Sequence, residues 1–573
     1  MSVCPRRFPG LLAAGFLGLA LGSCSEDAAP PGAILVTLDT TRADAFGAYG
    51  GLPITPAFDR LATESVLFDA AYTVAPITLP SHASILTGLY PPRHTLRDNG
   101  LWPLPETART LAEEARAAGL QTGAFLGAVV LDREFGLDQG FDVYDAPARG
   151  GAASSHAAER PVGEVVREAL DWLRARDPER GWFLWLHVFD PHGPYVPPPD
   201  FRGGPLQGKP YLGEVAYVDR VLGSFFEELR RDGTLDRSTL LVVADHGEGL
   251  GDHGEESHGT HVFESTMRVP LFWRRPGGEG GGRRVSQVVS VVDVYPTLLE
   301  SLGLPVPGGI DGESLARPRL DRGVYFESYS GYLSFGWSPI AGWLNRDGKY
   351  VHSSRPSFFD VFDDPDEAHD LADQVDLRPF QLEIAAVADG ETLSASDDSA
   401  DPELLAELRG LGYAAVASSK GTDLPHPLAP SDRRPPQDTI AEHADFLRAM
   451  KLSNARKPAE AEALLRTILS ANPHNDFAAD LLAFNLNALG RTPEAIRVLE
   501  ELLDDGPPWP NSWLNLGLCY RAEGRLEDAV EALERAAELA PSDPKILGAL
   551  VETLRSAGRD ATGVEQRLRK SGQ

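Results

Sequence analysis

Ala33-Ile34-Leu35-Val36-Thr37-Leu38-Asp39 is an apolar run of strand length that ends on a carboxylate, and Thr239–Glu248, T-L-L-V-V-A-D-H-G-E, repeats the arrangement. Similar runs occur at Thr122–Leu126 and Trp182–Val188. Near-continuous apolar strands suit a parallel sheet buried on both faces. Helical periodicity at Thr110–Ala118, Val162–Arg176 and Tyr217–Arg231 alternates with them. Strand–helix alternation predicts a doubly wound α/β domain. In such sheets the ligand site lies beyond the carboxyl ends of the strands, which is where Asp39 and Asp245 fall.

Between these strands stands Thr78-Leu79-Pro80-Ser81-His82, followed by a helix-like run to Leu86-Thr87-Gly88. Pro80 suits a first helical turn, where its missing N–H costs nothing. Thr78 is then expected just before the helix, where free N–H groups and the dipole favour an anion. A Thr hydroxyl is a weak nucleophile and needs a metal or a base; Asp245 and His246 could hold the metal. Taken alone, Thr78 reads as a helix cap and Asp245-His246 as a strand-end turn with a capping Asp. The combination of Asp39, Thr78, Asp245 and His246 favours a metallo-hydrolase site.

The chain has 573 residues, enough for more than one domain, and a hydrophobic content of 42% allows a large core. A net charge of −31 argues against general nucleic-acid binding and otherwise reads as solvated surface. Arg6 and Arg7, the apolar stretch Phe8–Leu21 and then Gly22-Ser23-Cys24 form a secretory signal ending in what resembles a bacterial lipobox. The alternative, a buried helix, has nothing upstream to pack with. Cys24 is thus the expected lipidated residue, residues 1–23 the signal and 24–32 a tether, which places the protein at the bacterial cell envelope, on the periplasmic or outer-membrane face. Cys4, Cys24 and Cys519 are its only cysteines, so an exported chain would rely on its core rather than on disulfides.

Gly421–Gln437 is Pro-rich and reads as a linker (419–437) after a helix expected at Pro402–Leu411. Beyond it the sequence repeats. Pro473, Pro507 and Pro541 recur at a period of about 34, as do Ala461, Ala495 and Ala529. The fullest copy has Trp513, Leu516, Gly517, Tyr520, Ala529 and Pro541, which resembles the tetratricopeptide repeat. Copies span Glu442–Asn475, Asp476–Trp509 and Pro510–Asp543, with a cap at Ile546–Leu568. Residues 438–573 are therefore expected to form an all-α solenoid able to bind a protein or peptide partner.

L-D-T-T-R-A-D at 38–44, T-L-P-S-H-A-S-I-L-T-G at 78–88, F-D-P-H-G-P-Y at 189–195 and A-D-H-G-E-G-L-G-D-H-G-E-E-S-H-G at 244–259 occur in the order of the sulfatase / alkaline phosphatase superfamily. The region 33–418 resembles that superfamily, with support from Arg268–Leu271, Asp293–Leu298, Phe359-Asp360-Val361 and Asp364-Pro365. The resemblance implies an α/β fold with a mixed sheet sandwiched by helices. It implies a divalent metal on Asp39, Thr78, Asp245 and His246. A second metal or the substrate oxyanion would fall to Asp190, His192 and His258. Thr78, His82, His192 and His258 are the implied catalytic group, and Asn99 and His187 the substrate contacts. His253 and His261 are also within reach by sequence.

Departures from the family pattern are informative. Thr78 cannot become formylglycine, because the aldehyde hydrate needs an unbranched Cβ. His82 replaces an Arg, Thr40 replaces an Asp, and Gly127-Ala128-Val129-Val130 stands where a sulfate-contacting Gly-Lys-x-His is usual. Fewer carboxylates and an imidazole favour zinc or manganese over calcium, as one or two ions. The leading expectation is an ester hydrolase or transferase acting on phosphate through a Thr78 nucleophile. A sulfuric ester hydrolase without formylglycine is the second. A lipid-anchored scaffold carrying a degenerate enzyme domain is the third.

Overall fold

The computed structural model describes residues 31–99, 102–147, 160–394, 424–505, 509–541 and 543–571. The signal segment, Cys24 and the helix expected at Pro402–Leu411 lie outside them. Among the described residues no helix is long and apolar enough to cross a membrane.

The central strands are β1 (Gly32–Leu38), β2 (Val66–Tyr72), β3 (Gln121–Leu126), β4 (Val143–Asp145), β5 (Trp182–Val188), β6 (Ser238–Ala244), β7 (Leu271–Arg274) and β8 (Arg284–Ser290). They form one sheet in the order β4-β3-β5-β1-β6-β7-β2-β8. β1 lies between β5 and β6, parallel to both, and every residue of the three strands is buried. That explains their unbroken apolar sequence. The sheet is mixed rather than purely parallel: β7 runs antiparallel to β6 and β2. Helix Val162–Ala175 packs on β3 and β5, and Pro210–Arg231 packs against that helix; helix Thr78–Thr87 is also in the domain. This last helix is buried at all ten residues, because it lies inside the domain.

A second, antiparallel sheet joins β9 (Val324–Ser328), β10 (Ile340–Asn345), β11 (Gly348–His352) and β12 (Ser357–Phe359). The buried Lys349 ammonium on β11 meets Glu367 at 2.9 Å and Glu264 at 3.3 Å, which ties this sheet to the larger domain.

Among the described residues the repeat region forms four antiparallel helix pairs, starting with Ile440–Asn454 and Pro458–Ala471 and ending with Pro544–Ser556 and Thr562–Ser571. The terminal cap is thus itself a helix pair. Gly517 marks a close approach: a Cβ there would lie 2.6 Å from Leu533 Cγ on the partner helix. The Pro-rich stretch is not a free linker in its described part, which begins at residue 424. Pro425 O accepts from the Tyr329 hydroxyl (2.8 Å), Arg434 O accepts from Ser338 N–H (2.9 Å), and the Arg433 guanidinium sits 4.2 Å from the Tyr332 ring centre. Proline spacing told of turns and extended chain, but not of a surface waiting to receive them.

Candidate active site

The register of the three central strands builds the site. Leu38 is level with Val188 on one side and Ala244 on the other. Asp39 N–H then donates to Val188 O (2.9 Å) and Asp245 N–H to Leu38 O (3.1 Å), so both carboxylates emerge together from the sheet edge. With the His246 imidazole they place ligand atoms within 4.8 Å of one another, and all three residues are buried.

Thr78 is the first residue of its helix rather than the residue before it; Ile77 occupies the cap and makes no side-chain cap bond. The cap comes from a distance: Asn99 Oδ1 accepts from Leu79 N–H (2.9 Å). Freed from capping, the Thr78 hydroxyl lies 3.4 Å from His246 Nε2. Ser81 on the same helix donates to Asp245 O (2.8 Å) and so fixes helix to strand.

Both oxygens of Asp39 and Oδ2 of Asp245 are buried without a hydrogen-bond partner. Burying a carboxylate uncompensated is costly. Burial, opposed by nearby histidines, raises the pKa of Asp39; burial and the Asp39 charge raise that of Asp245. His246 Nδ1–H donates to Gly247 O (2.9 Å), which leaves Nε2 as a lone pair facing the carboxylates, and burial keeps the ring neutral. Bare carboxylate oxygens, a neutral imidazole nitrogen and a hydroxyl are a donor set that fits a divalent cation.

Three residues expected at the reaction centre have other positions. Asp190 Oδ2 accepts from Val162 N–H (3.0 Å), so it caps the Val162–Ala175 helix and stands outside the metal cluster. His187, expected to touch substrate, is fully buried behind Asp39, with Nε2 3.3 Å from Asp39 Oδ2 and Nδ1 3.1 Å from the Thr37 hydroxyl. His82 is likewise enclosed: Nδ1–H donates to Thr78 O (2.8 Å) and Nε2 meets the Thr37 hydroxyl at 3.0 Å. Burial and the neighbouring His187 push His82 down to about 3. It braces the turn that carries Thr78. Asn99 has committed its carbonyl oxygen to the same helix.

His192 and His258 do converge on the cluster. The His258 ring centre is 4.6 Å from that of His246 and 5.5 Å from that of His192, which stacks on Phe189. His253 instead stacks on Phe263, and His261 turns towards the repeat region. Sequence reading missed Glu248 and Tyr195. Buried Glu248 holds His258 Nδ1 at 3.1 Å and accepts from the Tyr195 hydroxyl (2.6 Å). Burial works against a charged His258, yet the Glu248 carboxylate raises its pKa above the ordinary value. The available signal was the position of Glu248 in D-H-G-E, two residues past His246.

Residues 31–304 match the sulfatase family model, and residues 482–544 match a tetratricopeptide-repeat model. An arylsulfatase from Clostridium perfringens is 25% identical over 445 residues, covering 61% of this chain and 91% of that protein. An N-acetylglucosamine-6-O-sulfatase from Bacteroides thetaiotaomicron is 22% identical over 524 residues, 69% of this chain and 92% of that one. Among solved structures, the phosphonate monoester hydrolase of Agrobacterium radiobacter superposes with a TM-score of 0.52 at 22% identity, covering 62% of this chain and 94% of that one. Fold and site thus define a sulfatase-like hydrolase. The chain carries a sulfatase domain over residues 31–304 followed by C-terminal tetratricopeptide repeats, and sulfatase-family proteins bind a divalent metal.

Proposed function

We propose that the protein is a metal-dependent phosphoester hydrolase or transferase in which Thr78 is the nucleophile. The observation that carries this reading is the Thr78 hydroxyl, uncommitted to helix capping and 3.4 Å from His246 Nε2 beside the bare carboxylates. Asp39, Asp245, His246 and Thr78 would hold the ion, and two carboxylates with one imidazole favour zinc or manganese over calcium. When bound, such an ion supplies charge neutralisation at the ester oxygens and acidifies the Thr78 hydroxyl.

Thr78 gives its hydroxyl proton to solvent and Oγ attacks phosphorus; a bond from Oγ to phosphorus forms as the bond to the leaving alcohol breaks. Phosphoryl transfer depends on positioning and charge. His258, whose pKa the Glu248 carboxylate raises, when protonated offers its charge to the non-bridging oxygens and its proton to the departing alkoxide. Water, or an acceptor alcohol, then attacks the phospho-threonine and restores Thr78.

The names of the relatives favour a second reading, hydrolysis of a sulfuric ester. Rates of the purified protein on aryl phosphate, phosphodiester, phosphonate and sulfate esters separate the two. Turnover of sulfate above all phosphorus esters would overturn the first. Lipid anchoring through Cys24 is part of the same proposal; Cys24→Ala should move the protein from the membrane to the soluble fraction. The repeats are proposed to receive a protein or peptide partner.

A further inference from the structure

The loop from Gly249 to Phe263 carries His258 into the active site, and its far end is held by the repeat domain. Buried Glu255 organises that end, accepting from His261 N–H (3.1 Å) and the Thr260 hydroxyl (3.1 Å). The His261 ring then leaves the catalytic domain: Nε2–H donates to Pro436 O (3.2 Å) and lies 3.5 Å from the Thr439 hydroxyl. Thr439, itself buried, closes the turn by donating to Pro436 O (2.7 Å) immediately before the first repeat helix begins at Ile440. Ile440 presses on the same loop. A Cβ at Gly254, whose φ is +83°, would lie 2.6 Å from Ile440 Cγ2. The seam is tight on its other side too, where a Cβ at Gly336 would lie 2.1 Å from His474 O and Asn472 Nδ2 donates to Phe335 O (2.7 Å).

We propose that the turn Pro436–Ile440, where the linker enters the repeat domain, is a bracket that positions the His258 loop, so that the repeats are part of the catalytic unit and His261 is a positioning residue. Catalytic groups must be held to about 0.5 Å by their surroundings. His258 lies three residues from His261 on a segment bound at one end by Glu248 and at the other by this turn. A partner that shifts the first helix pair would therefore be felt at His258. The activity arm of the test rests on the hydrolase reading above; the exchange arm does not.

Full-length protein carrying His261→Phe keeps an aromatic ring against Phe263 but loses the N–H to Pro436. His261→Gln retains a donor at that position. Gly336→Ala forces the seam from the His474 side, at a left-handed position (φ +65°) beside Trp337, whose ring centre lies 5.8 Å from that of His261. Hydrogen–deuterium exchange across 249–263 and steady-state kinetics are measured for each. His261→Phe and Gly336→Ala should expose the loop to faster exchange and lower kcat by about 10- to 100-fold with KM nearly unchanged, and His261→Gln should restore both. Wild-type exchange in the loop of both variants overturns the bracket, as does wild-type kcat despite faster exchange. If His261→Phe fails to fold, Gly336→Ala decides by the same readouts. If even the wild type turns over no ester, the hydrolase reading fails and exchange alone decides the bracket.

Discussion

Asp39 and Asp245 at the edge of the central sheet, and Glu442 at the seam with the repeats, are all buried carboxylates, yet their surroundings differ in kind. Glu442 accepts from Trp337 Nε1–H (3.0 Å), Asn472 Nδ2 (2.7 Å), Asn475 Nδ2 (3.0 Å) and Arg434 Nη1 (2.6 Å). These donors come from the catalytic domain, the first repeats and the stretch between them. Neither oxygen of Asp39 accepts a hydrogen bond, although His187 Nε2 lies 3.3 Å from Oδ2. A buried carboxylate that is saturated joins pieces of a protein; one left bare stores a cost that a cation can relieve. The difference teaches which cluster is structural and which is functional, although both read alike as acidic residues in a sequence.

The sharpest way to break the contrast is Thr78→Ala. Removing the proposed nucleophile should lower turnover by roughly 10³-fold or more while circular dichroism and the melting curve stay those of the wild type. Comparable phosphodiesterase activity in that variant would end the Thr78 mechanism. Next is Glu442→Ala, which strips a common acceptor from several buried donors. We expect a loss of about 3 kcal/mol, read by calorimetry as earlier melting of the repeat domain; an unchanged curve would make the seam incidental.

Asp39→Asn sharpens the other half. In metal-free protein it should hold or raise the melting temperature, because it removes an uncompensated charge. It should also abolish the stabilisation that zinc or manganese gives the wild type, about 2.7 kcal/mol at a hundredfold excess over Kd. Destabilisation of the metal-free variant would contradict the bare-carboxylate reading.

The smallest effect is a pH shift. Glu248 raises the pKa of His258 in the native protein, so the stabilisation from this pair is present below the ordinary histidine value and is lost as pH rises through the native one. The protonated form is also the one that serves the leaving group. Glu248→Gln should therefore move the alkaline limb of the kcat/KM profile to lower pH. A limb that stays in place would assign it to another group.

Much of the site was legible because its residues sit at strand ends. An apolar run reaching a carboxylate already says where Asp39 and Asp245 stand, since strand direction and the rule for α/β sheets locate the ligand edge. Asp190 looked equivalent, yet one hydrogen bond to Val162 N–H makes it a helix cap. His187 looked like a substrate contact and His82 like a catalytic residue because histidines near a site motif are ambiguous until their neighbours are known. Both converge on the Thr37 hydroxyl, a residue with no motif to mark it.

The sequence by itself determined the local matters: which runs become strands and helices, the helical repeat, the position of a hydroxyl at a helix start, and the family. These follow from periodicity and short-range spacing. Only the tertiary structure decided which polar side chains are satisfied. Strand register brought Asp39 beside Asp245, the fold turned Asp190 away, and the packing of the first repeat against the catalytic domain drew His261, Thr439 and Glu442 together. Hydrogen-bond satisfaction in a buried site depends on partners far apart in the chain, and spacing along one sequence does not encode those distances.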